Sequence, residues 1–484
     1  MSERTAPPTS SRVEDVAADR ACSPGRFVDL LPRPLPRRQL SWANPVVLWK
    51  SRRQLVPWWL DGVDRRRSRI LAGSSPADFD VDLQLGDHSF VVLGDPGEGD
   101  RSQYAVMSAL ATFAADTTFG VLCGDLQYPA GDVNDFVDLF YRPFDSYPGA
   151  LYAVPGNHDW YDGLTGFLHH LCGRPAPQFD RARFVAEGGP ALRDQPSQQQ
   201  PVAQRTPYFR VRTRPLTLVC IESGIHNRVD EEQGRWLLRV SREPGPKVLI
   251  TGGAPLIANG RREQCRISGA PEGYGDVHQV VVEPRHEYVA AIGGNTHNYQ
   301  RYPVRTAGRT IQFVVAGGGG AFLHATHTVG RVEPAQADGV NEERFRCFPL
   351  RRDSLAAFSR VLAHRLRILS RGRLRPLSTD QAAHALARRH GVAPLASRPV
   401  GPDRRGPLTG LAAYIVGHLG GRATQRLLAP VIAWRDPPFF KNFLRIDVNG
   451  ERLRCRCYGV TGCREYDDVP MVEDEWVMSL APRD

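Results

Sequence analysis

Four short stretches of this 484-residue chain hold side chains of the kinds that bind hard or borderline metal ions. They are GDPG with Asp95, GDLQY with Asp125 and Tyr128, PGNHD with Asn157, His158 and Asp159, and GGNTHNYQRY with Asn295, His297 and Arg301. Carboxylate, amide oxygen and imidazole suit iron, manganese and zinc. One Gly-Asp at the end of an apolar run carries little information. Four polar tips, each directly after an apolar run, form a constellation that a sheet could bring to one edge.

The elements that must position them are legible as runs. SFVVLGD, FGVLCGD, ALYAVPGNHD, LTLVCIES, KVLITGG, YVAAIGG and IQFVVAGG each hold β-favouring residues and end at Gly, Asp, Asn or Ser. Between the first two, Tyr104, Met107, Leu110 and Phe113 fall at helical spacing, as do Val133, Phe136, Val137 and Phe140 before the third. Strands alternating with helices predict a layered α/β architecture, in which ligands gather at the carboxyl tips of strands. Gly317 to Gly320 follow a strand without the Lys-Ser/Thr of a P-loop, so they predict a tight crossing beside the site.

In their order, GDPG, GDLQY, GNHD and NTHNYQRY resemble the calcineurin-like metallophosphoesterase superfamily, with a pattern similar to that of the purple acid phosphatases, over roughly residues 88 to 325. The resemblance implies a four-layer sandwich of two mixed β-sheets flanked by helices, here with a helical insertion or C-terminal addition. It implies two metals bridged by one aspartate. The first would take Asp95, Asp125, Tyr128 and His297, and a tyrosinate ligand favours ferric iron. The second would take Asp125, Asn157 and two histidines that this chain lacks: Gly253 stands at one and Asn295 at the other. Asn295 offers an amide oxygen, a weak substitute for imidazole, and His226 or Glu98 are alternative donors. His158 matches the residue that contacts the phosphoryl group and the leaving oxygen, with Asp159 holding its orientation. Arg301 is placed either on the phosphate or its loop, or in a salt bridge. The implied activity is hydrolysis of phosphomonoesters or phosphodiesters by hydroxide generated at the metal, attacking in line with the leaving alkoxide. A catalytically degenerate protein that binds a metal or a phosphorylated ligand is the alternative.

The rest of the chain bounds the partners. Net charge is +10, yet only three of 62 basic residues are lysines, which points to codon bias toward arginine, and no nucleic-acid recognition module accompanies the charge. The expected partner is a phosphorylated small-molecule or macromolecular substrate. Nine cysteines, mostly within apolar runs, read as reduced core residues. No signal peptide or spanning run is legible, so the expected location is cytoplasmic, with peripheral membrane contact open through the tryptophans and arginines near residue 50. The expected organisation is a flexible arm (1–40), a Trp/Arg-rich extension (41–86), a core (87–334), a helical insertion (335–435) and C-terminal strands around Asn449-Gly450 (436–484).

Overall fold

A computed structural model describes residues 63–192, 204–329, 345–365, 376–390, 438–462 and 472–481. The arm, residues 41–62 of the Trp/Arg-rich extension and the apolar segment 408–434 of the expected helical insertion lie outside the described residues.

Two large sheets dominate. The six-stranded sheet has at one side β2 (His88–Leu93), β3 (Phe119–Cys123) and β4 (Ala150–Val154), all parallel. It continues from β2 into an antiparallel meander of β16 (Lys441–Asn449), β17 (Arg452–Val460) and β18 (Val472–Ser479). The eight-stranded sheet has the order β1-β5-β6-β8-β12-β14-β13-β15. Its centre is a parallel set: β6 (Thr217–Ile221), β8 (Lys247–Thr251), β12 (Tyr288–Gly293) and β14 (Arg309–Ala316). Antiparallel β13 (Tyr299–Thr306) follows, then β15 (Arg346–Phe348), while β5 (Phe209–Arg212) and β1 (Asp80–Asp82) close the other edge.

The alternation of side chains along each strand builds the layers. Phe90, Val92, Val121 and Val154 of one sheet share a core with Val248, Ile250, Ile292 and Val314 of the other. Their neighbours Val91, Leu93 and Leu249 face outward and pack with Val106 and Leu110 of helix α2 (Arg101–Phe113) and with Trp236 and Leu237 of α3 (Glu231–Ser241). Both faces of these strands are thus buried, which is why they read as near-continuous apolar runs. The chain folds as two mixed sheets with helices on their outer faces, the architecture the motifs imply. Helices α4 (Arg351–Arg365) and α5 (Thr379–His390) pack through a small cluster of their own, including Leu355, Ala382 and Leu386. Among the described residues no helix is long and apolar enough to cross a membrane.

Candidate metal centre

The carboxyl ends of β2, β3 and β4 meet those of β8, β12 and β14 where the two sheets face each other, and every polar tip singled out in the sequence leaves one of these strands. Asp95, Asp125 and Asn295 adopt positive φ, 57°, 44° and 59°. Asp and Asn tolerate this left-handed region better than other residues with a side chain, and it turns each sharply off its strand. Space is as restrictive as torsion. A Cβ at Gly156 would lie 2.2 Å from Asp125 Oδ1, and one at Gly317 would lie 2.7 Å from Asp95 Oδ2. The glycine run 317–320 therefore crosses directly against the site, as Gly319 against Gly94 and Gly320 against Pro96 also show.

Ligand atoms of Asp95, Asp125 and His297, all three buried, lie within 4.8 Å of one another. The Tyr128 hydroxyl completes the set, 2.9 Å from Asp125 Oδ2, 3.1 Å from His297 Nε2 and 3.4 Å from Asp95 Oδ1. The outer contacts fix which atoms face inward. His297 Nδ1 donates to the Phe322 carbonyl at 2.7 Å, which leaves the Nε2 lone pair for the centre. Asp95 Oδ2 accepts the Asn295 amide at 2.7 Å, and Asp125 Oδ1 accepts the His158 amide at 2.8 Å. Burial and the neighbouring Asp125 push the Asp95 carboxyl well above its usual range, and the same causes raise the Tyr128 phenol. Burial, then His324, hold His297 neutral. Crowded anionic oxygens beside a neutral imidazole are costly without a cation and well matched to one. The residues fit one metal ion.

The far side of Asp125 is different. Asn157 and Asn295 line the cleft there, but Gly253 offers no donor, and a Cβ at that position would lie 2.2 Å from Ser223 Oγ and 3.3 Å from Asn227 Oδ1. Ser223 Oγ is itself 3.1 Å from Thr251 Oγ1. Two neutral amides and a shared carboxylate are a weaker donor set for a transition-metal ion than the first.

His158, also in the cleft wall, donates Nδ1–H to the Pro129 carbonyl at 2.8 Å, which fixes its ring. This corrects the role expected of Asp159. Its carboxylate accepts the backbone amides of Leu126 at 3.1 Å and Gly156 at 2.8 Å, bracing the Asp125 and Asn157 loops rather than orienting the imidazole. Of the two placements open for Arg301, the structure has the salt bridge, although buried rather than on the surface. It is buried on β13 in a two-pronged pair with Asp474, at 2.6 and 3.0 Å, and does not line the cleft. Glu98 is absent from the lining, whereas His226 is part of it.

The cleft encloses about 950 Å³, with Arg262, Glu263 and His324 on its walls. Sequence reasoning missed His324, whose ring stacks on His297 at 4.2 Å and whose Nδ1 accepts the His297 amide at 3.0 Å. It missed Arg262 as well. The Asn259-Gly260 dipeptide two residues before Arg262 was the available signal for a hairpin.

Residues 88–299 match the family model of calcineurin-like phosphoesterases. Over that stretch, a little under half of its length, the chain is similar to the calcineurin-like phosphoesterases. Solved structures similar to this chain include a purple acid phosphatase from yellow lupin (Lupinus luteus) seeds, at 12% identity and TM-score 0.38 over 82% of this chain and 54% of that one. The chain thus spans about half the length of the lupin protein. PhoD aligns at 9% identity and TM-score 0.39, over 82% of this chain and 70% of that one. The anchor protein of the inner membrane complex of Plasmodium aligns at 13% and 0.33, over 54% and 81%. A search against curated proteins gives no significant match.

Proposed function

We propose that this domain hydrolyses phosphate esters using one tightly held metal ion, iron, manganese or zinc, bound by Asp95, Asp125, Tyr128 and His297. The observation that carries the reading is the convergence of two carboxylates, a phenol and an imidazole Nε2 on one point, the carboxylates and the imidazole braced from outside. A metal ion there supplies Lewis acidity and lowers the pKa of water.

The chain's own residues do the remaining work. The Pro129 carbonyl fixes the His158 ring so that Nε2 meets the leaving oxygen and exchanges a proton with it. Burial lowers the pKa of this imidazole while Asp125 raises it. The amides of Asn157 and Asn295 line the cleft on the side of the weaker donor set, and they can donate to phosphoryl oxygens. Arg262 adds a cation to the wall. The rival reading, a phospholigand-binding protein without turnover, is favoured by the occupied space at Gly253.

Metal analysis of the purified protein, combined with hydrolysis of a chromogenic phosphate ester, separates the two. Wild type is expected to hold one ion per chain and to turn over. Asp125→Asn should lose both, whereas His158→Ala should keep the ion and lose about 10²–10⁴ in rate. Turnover by wild type no faster than by either variant, with iron, manganese or zinc supplied, rules out the hydrolase.

A further inference from the structure

One wall of the cleft is a hairpin whose charge the metal centre does not use. β9 (Ile257–Ala258) and β10 (Arg261–Arg262) pair antiparallel around Asn259-Gly260. Both turn residues have positive φ, 52° and 74°, as a two-residue type I′ turn requires. The turn is pinned from below. Asn259 N–H donates to Gln300 Oε1 at 2.8 Å and Gly260 N–H to the Tyr302 hydroxyl at 2.9 Å, while Gln300 Nε2 donates back to Asn259 Oδ1 at 3.1 Å. Gln300 and Tyr302 are buried on β13. Arg261 and Arg262 therefore rise from a fixed platform, and Arg266 on β11 (Arg266–Ile267) stands beside them.

These three arginines line a second concavity of about 640 Å³, which shares Arg262 and Gln264 with the cleft. Arginine is abundant in this chain, so charge alone says little. Pairing says more: Arg183, Arg212, Arg235, Arg242 and Arg454 each hold a carboxylate. On the shelf only Arg262 does, with Asp276 at 3.1 Å. Arg266 reaches just the Gln264 amide oxygen at 3.3 Å, and Arg261 has no carboxylate partner among the described residues. The three converge on one hollow that opens into a cleft suited to a phosphoryl group.

We infer that the Arg261, Arg262 and Arg266 shelf binds a second anionic group of the substrate, so that this site takes small phosphate esters bearing a further phosphate rather than simple monoesters. The inference rests on the reading of the cleft as a phosphoryl site. Guanidinium forks match phosphate oxygens in pairs, and a rigid platform loses little freedom when they engage. A nucleic-acid strand fits less well, because the shelf has no aromatic side chain on which a base could stack.

The test is calorimetric titration of the full chain with inorganic phosphate and with fructose 1,6-bisphosphate, for wild type, Arg261→Ala/Arg266→Ala and Arg261→Lys/Arg266→Lys. Wild type should bind the bisphosphate about tenfold more tightly than phosphate, with the advantage shrinking as salt rises. The alanine variant should lose that ratio, and the lysine variant should recover part of it. A ratio unchanged by the alanine substitutions, or the absence of any preference in wild type, overturns the proposal. So does a short oligonucleotide that outcompetes the bisphosphate in wild type and not in the alanine variant, since the shelf would then serve a polymer. Binding does not require turnover. A protein that keeps the ratio but hydrolyses nothing would overturn the hydrolase reading alone, whereas Asp125-dependent turnover without the ratio would overturn only the shelf.

Discussion

At Gly253 a side chain meets Ser223 Oγ only 2.2 Å from where its Cβ would stand. A histidine restored there has to displace that hydroxyl from Thr251 before it reaches the cleft. Gly253→His alone is expected to cost about 1–3 kcal/mol in stability, as overpacking of a filled site does. It should leave the metal content at one ion per chain. Combined with Ser223→Gly and Asn295→His, metal analysis should show a second. A second ion bound by Gly253→His alone would show that Ser223 yields freely. The sequence revealed the missing histidine but not what had filled its place, because Ser223 lies thirty positions earlier and only the fold brings it alongside. The convergence of the residues proposed to hold the metal was legible for the opposite reason: each sits within a few residues of a strand end, where sequence adjacency and spatial adjacency coincide.

Among the elements, helix α1 (Val63–Leu71) joins the loop that carries His158 to the rest of the molecule. Arg67 donates Nε to Glu222 Oε2 at 2.6 Å and Nη2 to the Arg228 carbonyl at 2.9 Å, and Trp160 donates its indole N–H to Glu222 Oε1 at 2.9 Å. All three side chains are buried, and Trp160 is two residues from His158. Arg67→Met strands the Glu222 charge, a loss of about 3–5 kcal/mol. If Arg67 positions the loop, kcat should fall while KM stays near its wild-type value; a rise in KM alone would place its influence elsewhere. A second test concerns His170, on the short helix Thr165–His170. Its Nε2–H donates to the Val133 carbonyl at 2.9 Å, and its Nδ1 accepts the Tyr141 hydroxyl at 3.1 Å. Burial pushes its pKa down to about 3. Between about 6.5 and about 3 the unfolded chain binds a proton that the folded chain does not, so this residue withdraws stability as pH falls through that window. In urea titrations at about pH 7 and about pH 5, wild type should lose roughly 1–2 kcal/mol more on acidification than His170→Phe. Neither network was readable beforehand, since each joins segments whose sequence separation hides the contact.

At the scale of the whole molecule, Arg301 and Asp474 show what a motif cannot say. Arg301 belongs to β13 of the eight-stranded sheet and Asp474 to β18 of the six-stranded one, and the Tyr299 hydroxyl donates to the same carboxylate at 2.7 Å. A buried pair between sheets makes Arg301 a structural residue. Arg301→Met should lower stability by about 3–5 kcal/mol in chemical denaturation and leave KM for a phosphate ester unchanged. The alternation of strands and helices made the layered class legible, because both faces of each central strand are apolar. Which strands neighbour one another was not, since β16 pairs with β2 across most of the chain. The metal centre shares this geometry, with Asp95, Asp125 and Tyr128 leaving one sheet and His297 leaving the other. A bound ion is therefore a clasp between the two halves of the sandwich. Chelation should lower the melting temperature as well as any activity, since an ion at about a hundred times its dissociation constant adds roughly 2.7 kcal/mol to the folded state. The sheet that carries His297 is then held against the sheet that carries Asp95, Asp125 and Tyr128 partly by the ion between them.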